Sequence, residues 1–267
     1  MHNILKMFRA GNREVKYLRV STLASYFYCS VRARCQALGI DTPPTEALAI
    51  GKRKHDEITA ARQPSVWERE LETYLKTCMV TELESTDGST GIRDAENKVF
   101  MRGWYDGATV IGHIVTHGVD DWECNPQREV TLIEYKTTNQ KYVDNYKLST
   151  ALFQTKLYIW ILDPLLKLGG YRIVRGKVVY LARDGKPIGE KIIRIDESPK
   201  YETEKYEDDW FVYNTKRVES EIAKILDQFE HPENLIPPAR FKCARCPQIF
   251  KNECPFIPKD NNEVEPT

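Results

Sequence analysis

Glu134 and Lys136 stand in the middle of a β-branched, apolar run, EVTLIEYKTT, over residues 129–138. Side chains alternate across a strand, so the carboxylate and the ammonium share one face while Tyr135 points to the other. A strand-surface ion pair would produce the same pattern, but other residues can join these two. Asp106 lies in MRGWYDGA, between Gly103 and Gly107, which allow close backbone approach; alone it reads as a turn aspartate. His55, in GKRKHDEI, follows Gly51 by one helical turn. Gln154 and Tyr158 are four apart in the helical stretch after the Glu-Tyr-Lys strand, so they share a face. Carboxylates together with a histidine are candidate ligands for a divalent cation, with a lysine beside them. Hard divalent cations prefer oxygen ligands, and a cation beside a scissile phosphate stabilises the charge of an in-line displacement.

The seven cysteines offer a second chemistry. Cys243, Cys246 and Cys254 fall close together near the C-terminus, with Pro247 and Pro255 directly after two of them. An odd number at uneven spacing is a poor disulfide framework, and clustered thiols in a reducing compartment read first as metal ligands. A fourth ligand has to come from elsewhere in the chain. Cys29 and Cys35 compete for it: on one continuous helix they would point about 240° apart, so only one could face the cluster. Four thiolates suit structural Zn²⁺ or an iron–sulphur cluster equally well. Cys78 and Cys124 have no partner pattern and read as packing or surface residues.

The order His55, Asp106, Glu134-x-Lys136, Gln154-x-x-x-Tyr158 resembles the RecB-like branch of the PD-(D/E)XK nucleases. The cysteine early in FYCSVRA with the C-terminal CxxCP triad is similar to the iron–sulphur members of that branch, among them the fourth CRISPR-associated (Cas) family. The resemblance covers about residues 20–256, although the seven residues between Cys246 and Cys254 exceed the usual spacing. It implies that His55, Asp106, Glu134 and the backbone carbonyl of Tyr135 bind Mg²⁺ or Mn²⁺. It implies further that Lys136 positions or activates the attacking water, and that Gln154 and Tyr158 touch the DNA backbone or orient the ligands. A [4Fe–4S] cluster would sit on Cys29, Cys243, Cys246 and Cys254, with structural Zn²⁺ as the alternative. The implied activity is a metal-dependent DNA exonuclease, 5′→3′ on single strands, trimming prespacers in CRISPR adaptation beside integrase proteins. A virus-encoded or stand-alone nuclease, or a non-cleaving iron–sulphur or zinc adaptor of an integrase complex, remains the alternative.

The elements that must position these residues follow from punctuation and periodicity. Residues 21–39 read as one helix, with Ser21 as N-cap and Gly39 as stop. After the Pro43-Pro44 break come helical stretches at 45–61 and 67–80, then a turn at Gly88–Gly91. From Val99 the pattern changes to short strands. Asp144 caps a helix that Pro164 and Gly169-Gly170 should kink and end. KVVYLA and EKIIRI flank RDGKPIG as a hairpin, and 203–229 read as helix. The acidic stretch 196–209 reads as a solvated connector.

The expected fold is therefore mixed α/β, an α+β mixed sheet flanked by helices. In the terms of the resemblance it is a PD-(D/E)XK restriction-endonuclease-like core with a helical iron–sulphur cap formed by both termini. One nuclease domain is expected over 1–267, with an N-terminal helical part at 21–80 and a catalytic sheet core at 98–195. A C-terminal helix and cysteine triad at 203–256 and a disordered tail at 257–267 complete it.

Composition sets outer limits. With 267 residues, 41% hydrophobic and 29% charged, the chain is ordinary globular material rather than collagenous, coiled-coil or disordered. It carries 39 basic against 39 acidic side chains, which excludes a uniformly basic coat for nucleic acid. DNA contact must use local patches: residues 6–19, Lys52-Arg53-Lys54, and Arg240, Lys242, Arg245 and Lys251. No run is long and apolar enough for a membrane span, and the N-terminal residues lack the apolar core of a secretory signal, so a cytoplasmic setting with no membrane partner is expected.

Overall fold

The computed structural model of the chain describes residues 6–10, 13–43, 46–78, 100–106, 109–116, 118–138, 145–203, 209–238, 243 and 246–257. The turn expected at 88–91, Asp144, Arg240, Lys242, Arg245 and the tail from 258 lie outside them.

Two mixed sheets form the frame. The first has the order β1-β2-β4-β3, built from Lys6–Ala10, Arg13–Arg19, Thr109–Thr116 and Phe100–Asp106. Within it β1 and β2 are antiparallel, β2 and β4 parallel, and β3 and β4 antiparallel. The second runs β5-β6-β7-β8-β9: Asp121–Cys124, Glu129–Thr137, Arg172–Leu181, Pro187–Ile195 and Val212–Tyr213. At its centre β6 and β7 pair in parallel, Glu134 opposite Val178 and Lys136 opposite Tyr180. A parallel pair needs a crossover connection, and the long helix α5, Asn145–Leu168, supplies it.

Helices cover both faces of the second sheet, which is why β6 reads as an almost unbroken buried run instead of a clean alternation. On one face α5 lays Leu152, Ile159 and Leu162 into the main core with Leu132 and Val178. On the other, Ile58 of α3 (Glu46–Ala61) packs on Ile133, Tyr135, Val179 and Leu181. The helix α4, Val66–Cys78, buries Leu71 and Leu75 in the main core. Close approach of α5 to β7 requires the glycine at 176, where an added Cβ would stand 2.7 Å from a methyl of Thr155. The β7–β8 hairpin is present as expected, turning at Gly185 with φ +88°. Among the described residues no helix is long and apolar enough to cross a membrane.

Several expectations are corrected. Residues 13–19 are not merely a basic lead-in but a strand between β1 and β4. The helix expected at 21–39 is two: α1, Val20–Ser25, with Arg19 and not Ser21 as N-cap, and α2, Ser30–Ala37. Cys29 is extended at φ −162° and breaks them; Gly39, at φ +87°, does terminate α2. Pro164 does not end α5. It leaves the carbonyl of Trp160 without its helical donor, and Arg102 Nη1 donates to that oxygen at 2.7 Å instead. The helix ends at the Gly169-Gly170 pair, with Gly170 at φ +75°. The C-terminal helix α7 begins only at Thr215 and runs to Glu230, capped by the Asn214 side chain, because β9 intervenes. A short turn of helix, α6 (Lys200–Thr203), precedes β9. The acidic connector works locally, Glu197 accepting from the Thr215 N–H and Asp209 pairing with Arg194. A final short helix, α8, spans Gln248–Asn252.

Candidate active site

At one end of the second sheet β5 stops short, and the backbone of β6 continues past it. Asp121 is the last β5 partner, opposite Ile133. Beyond it Asp120 turns its carboxylate inward and accepts the Tyr135 N–H at 2.7 Å, a side chain standing in for the missing strand. In an extended chain the N–H and C=O of one residue point to the same side, so the Tyr135 carbonyl faces that gap too.

Glu134 and Lys136 lie on the α5 side of β6, as their alternation requires. Glu134 is 3% exposed, and its carboxylate is bonded by Lys136 Nζ. The same ammonium donates to Gln154 Oε1 at 3.0 Å, and the Gln154 amide in turn donates to the Tyr158 hydroxyl. The expected helix face is therefore turned to the strand, and four residues from two elements form one connected row. His55 approaches from α3 on the other side, its Nδ1 3.5 Å from Asp120 Oδ2 and its ring 6.0 Å from that of Tyr135. Its Nε2 is buried without a hydrogen-bond partner. Buried polar atoms are ordinarily satisfied, so this nitrogen is a candidate ligand atom.

One buried carboxyl dominates the electrostatics here. Burial pushes the Glu134 carboxyl up to about 7; Lys136 pulls it down, while the negative charge of Asp120 pushes it further up. Glu134 is buried and Asp120 half-buried, and their charges oppose each other; a divalent cation bound near Glu134 would offset both its desolvation and that repulsion. Tyr158 is held well above the usual phenol range by burial and then by the charge of Glu134. The donor set fits a hard divalent metal: oxygens from Asp120, Glu134 and the Tyr135 carbonyl, plus one imidazole nitrogen. Among the described residues no three His, Cys, Asp or Glu side chains already stand at ligating distance from a common point.

The sequence puts Asp106 forward as the site aspartate; the structure sets the carboxylate of a different one, Asp120, beside Tyr135 and His55. Asp106 sits at the turn end of the β3–β4 hairpin, opposite Thr109, and its side chain lies outside the described residues. The other end of that hairpin, Phe100 opposite Thr116, leads through Gly118 to Asp120. Six strand steps separate the two ends by about 20 Å. The available signal was the doublet Asp120-Asp121 directly before a strand partner of the Glu-Tyr-Lys run. The two acids divide the work: Asp121 points the other way, to Arg62 and the Tyr135 hydroxyl, and Arg62 also bonds Glu68 and the Trp122 carbonyl.

The chain ends meet at a second place. Cys29, Cys243, Cys246 and Cys254 line one small cavity of about 40 Å³, walled by Val31, Phe250 and Pro247. Ser30 Oγ donates to the Ile236 carbonyl at 2.7 Å, and Arg34 Nε to that of Phe229 at 2.8 Å, tying α2 to the C-terminal segment. Burial pushes the Cys246 thiol up and the facing sulphurs add to it; burial also raises the Cys29 thiol, against backbone hydrogen bonds at Arg32 and Val31 that lower it, with a smaller push from Cys254 and Cys243. Cys35 is buried in the same apolar cluster but does not line the cavity, and burial raises its thiol to about 11. The helix-face argument for choosing between Cys29 and Cys35 does not apply, because the helix is broken at Cys29. Cys124 packs in the main core, and the Cys78 side chain lies outside the described residues.

The family model of the PD-(D/E)XK nuclease superfamily matches residues 117–255, just over half of the chain. That segment opens just ahead of Asp120 and includes Glu134, Lys136, Gln154, Tyr158 and the three C-terminal cysteines; Asp106 precedes it. No curated protein matches the sequence. Among solved structures the chain is similar to SSO0001, at 19% identity and a TM-score of 0.48, over 90% of this chain and 85% of that one. It is also similar to a candidate exonuclease from Eubacterium rectale, at 12% identity and a TM-score of 0.44, over 91% of this chain and 90% of that one.

Proposed function

The chain belongs to the PD-(D/E)XK nuclease superfamily, and on that premise we propose that it is a divalent-metal-dependent DNA exonuclease acting at the Asp120–Glu134–Lys136 corner. The observation that carries this is that Asp120, held by the Tyr135 N–H and 3.5 Å from His55 Nδ1, borders the strand on which Lys136 bonds Glu134, while His55 Nε2 is buried without a partner. Asp120, Glu134, His55 and the Tyr135 carbonyl would hold Mg²⁺ or Mn²⁺. When bound, the metal supplies Lewis acidity toward the scissile phosphate and acidifies an attacking water.

The protein's own residues do the rest. Lys136, anchored between Glu134 and Gln154, holds a positive charge where the phosphate oxygens gather negative charge. Gln154 fixes the direction of that ammonium, and Tyr158 fixes Gln154, so the row is set before substrate arrives. The apolar α5 face and β7 exclude bulk water from behind Glu134.

The finer reading places a [4Fe–4S] cluster on Cys29, Cys243, Cys246 and Cys254. The lining of one cavity by four thiols from both ends of the chain supports it. Bound there, the cluster would join the chain ends; no step of hydrolysis is assigned to it. One nuclease unit, 5′→3′ action on single strands, and prespacer trimming in the cytoplasm beside CRISPR integrase proteins complete the reading, on the strength of the sequence resemblance. Incubation of end-labelled single-stranded DNA with Mn²⁺ or Mg²⁺ tests it. Nucleotides released from the 5′ end, and none in EDTA, are expected; no release with either metal overturns the nuclease assignment. Iron and acid-labile sulphide in the purified protein test the cluster, and one zinc per chain would replace it.

A further inference from the structure

Beside Lys136, on the side away from Glu134, the fold leaves a cavity of about 330 Å³. Lys136 and Thr138 come to it from β6 and its end, Thr150 from α5, and Ser25, Tyr28 and Arg32 from the break between α1 and α2. Its charged lining residues are both cations, Lys136 and Arg32, and most of the other polar groups around it are hydroxyls. Cations with hydroxyl donors and no carboxylate are the lining that a phosphate selects.

The position is as informative as the composition. Tyr158 lies over Glu134, Gln154 bonds Lys136, and Thr150 shares the cavity with Thr138. Each step along this row is two residues of strand against one turn of helix, about 6 to 7 Å. That is comparable with one nucleotide of an extended strand. A strand laid along this row with one phosphate at Glu134–Lys136 would bring the next to the cavity.

Arg32 is built to meet it. Its guanidinium carbon lies over the Phe250 ring, 5.5 Å from the centroid, and its Nε is buried with no hydrogen-bond partner. Arg32 and Tyr28 also line the cysteine cavity, so the junction of the chain ends sets their position.

We propose that this cavity is a phosphate subsite that seats the strand phosphate next to the scissile one, with Arg32 and Lys136 as its cations and Thr138 and Thr150 on its wall. The assignment rests on the nuclease reading and names how that site registers its substrate. The occupant is either an internal phosphodiester or a terminal phosphate monoester.

The test is equilibrium binding of a labelled single-stranded oligonucleotide in EDTA, followed by fluorescence anisotropy across a salt series. Arg32→Gln should weaken binding about tenfold, the loss of one charge-assisted contact, and reduce the salt slope by about 0.7. Thr150→Val, on a different element from the cysteine cavity, should weaken it about threefold, which guards against a folding defect in Arg32→Gln. A single methylphosphonate walked along the terminal linkages distinguishes the sources. If it erases the difference between wild type and Arg32→Gln at one internal position, the occupant is a phosphodiester. If only removal of the 5′-phosphate does so, the occupant is the strand end. Equal affinities for wild type and both variants, with wild type still cleaving in Mn²⁺, overturn the subsite and leave the nuclease reading standing. Wild-type protein that neither binds nor cleaves overturns both.

Discussion

The carboxylate of Asp120 accepts the backbone N–H of Tyr135 at 2.7 Å, so an acid that precedes one strand is locked against the peptide that follows Glu134 on the next. The contact exists because β5 ends at Asp121 while β6 runs on. It sets the Asp120 carboxylate beside the peptide between Glu134 and Tyr135 although the two acids are not neighbours in sequence.

Asp120→Ala should abolish metal-dependent cleavage and weaken Mn²⁺ binding, whereas Asp106→Ala, about 20 Å along the hairpin, should do neither. Isothermal titration with Mn²⁺ and a cleavage assay on the two variants decide between them. Wild-type turnover in Asp120→Ala would move the site.

Metal affinity should rise with pH up to about 7, because the cation needs ionised Glu134 and burial holds that carboxyl near 7. The sign for stability is the reverse. A carboxyl whose folded value is raised favours the metal-free fold fully below its ordinary unfolded value, and that contribution is lost as pH rises through about 7. Melting curves with and without Mn²⁺ should thus diverge as pH is raised from 5 to 8. A Glu134→Gln variant that keeps the same divergence would refute the account.

Lys156→Met should raise Tm by a few degrees. The ammonium of Lys156 is fully buried on α5, and burial together with the nearby Arg217 charge holds it well below the usual lysine range. A depressed amine costs the fold most at low pH, and the cost fades as pH climbs toward the unfolded lysine value. The gain over wild type should therefore be larger at pH 6 than at pH 9. An unchanged or lower Tm at both would show that Lys156 is matched by its surroundings.

Removal of the Arg62 guanidinium should destabilise the fold by about 3 kcal/mol, because Asp121 and Glu68 are both buried carboxylates that it bonds. Arg62→Met should also loosen the turn that presents Asp120, raising the Mn²⁺ Kd. Denaturant melts and metal titration of the same sample measure the two effects; loss of neither would mean that Asp120 is held by the Tyr135 N–H alone.

Serine at Cys29, Cys243, Cys246 or Cys254 should release the bound metal and lower Tm, while serine at Cys35 or Cys124 should leave the metal content unchanged. Closing a loop as long as that from Cys29 to Cys243 is worth roughly 5 kcal/mol in chain entropy, enough to remove much of a domain's net stability. Metal analysis and melting of the six variants check it. A metal-free Cys35→Ser beside a loaded Cys29→Ser would reverse the ligand assignment.

The sequence alone determined what depends on local periodicity and local chemistry. Alternation through EVTLIEYKTT put Glu134 and Lys136 on one face, and the four-residue step from Gln154 to Tyr158 put those two on another. The helices at Glu46–Ala61 and Val66–Cys78, the hairpin at Gly185 and the mixed α/β class followed from punctuation by glycine and proline. What it could not determine depends on where a strand stops and on groups brought from elsewhere in the chain. Asp106 and Asp120 are both aspartates at strand ends, and only the register of β5 against β6 places one of them beside Tyr135. Pro164 passes through α5 because Arg102, distant in sequence, supplies the donor that the helix lacks. Cys29 faces the other three thiols because an apparently continuous helix breaks there, packed against a segment more than two hundred residues away. Local rules fix which face a residue takes; the pairing of distant elements fixes what that face meets.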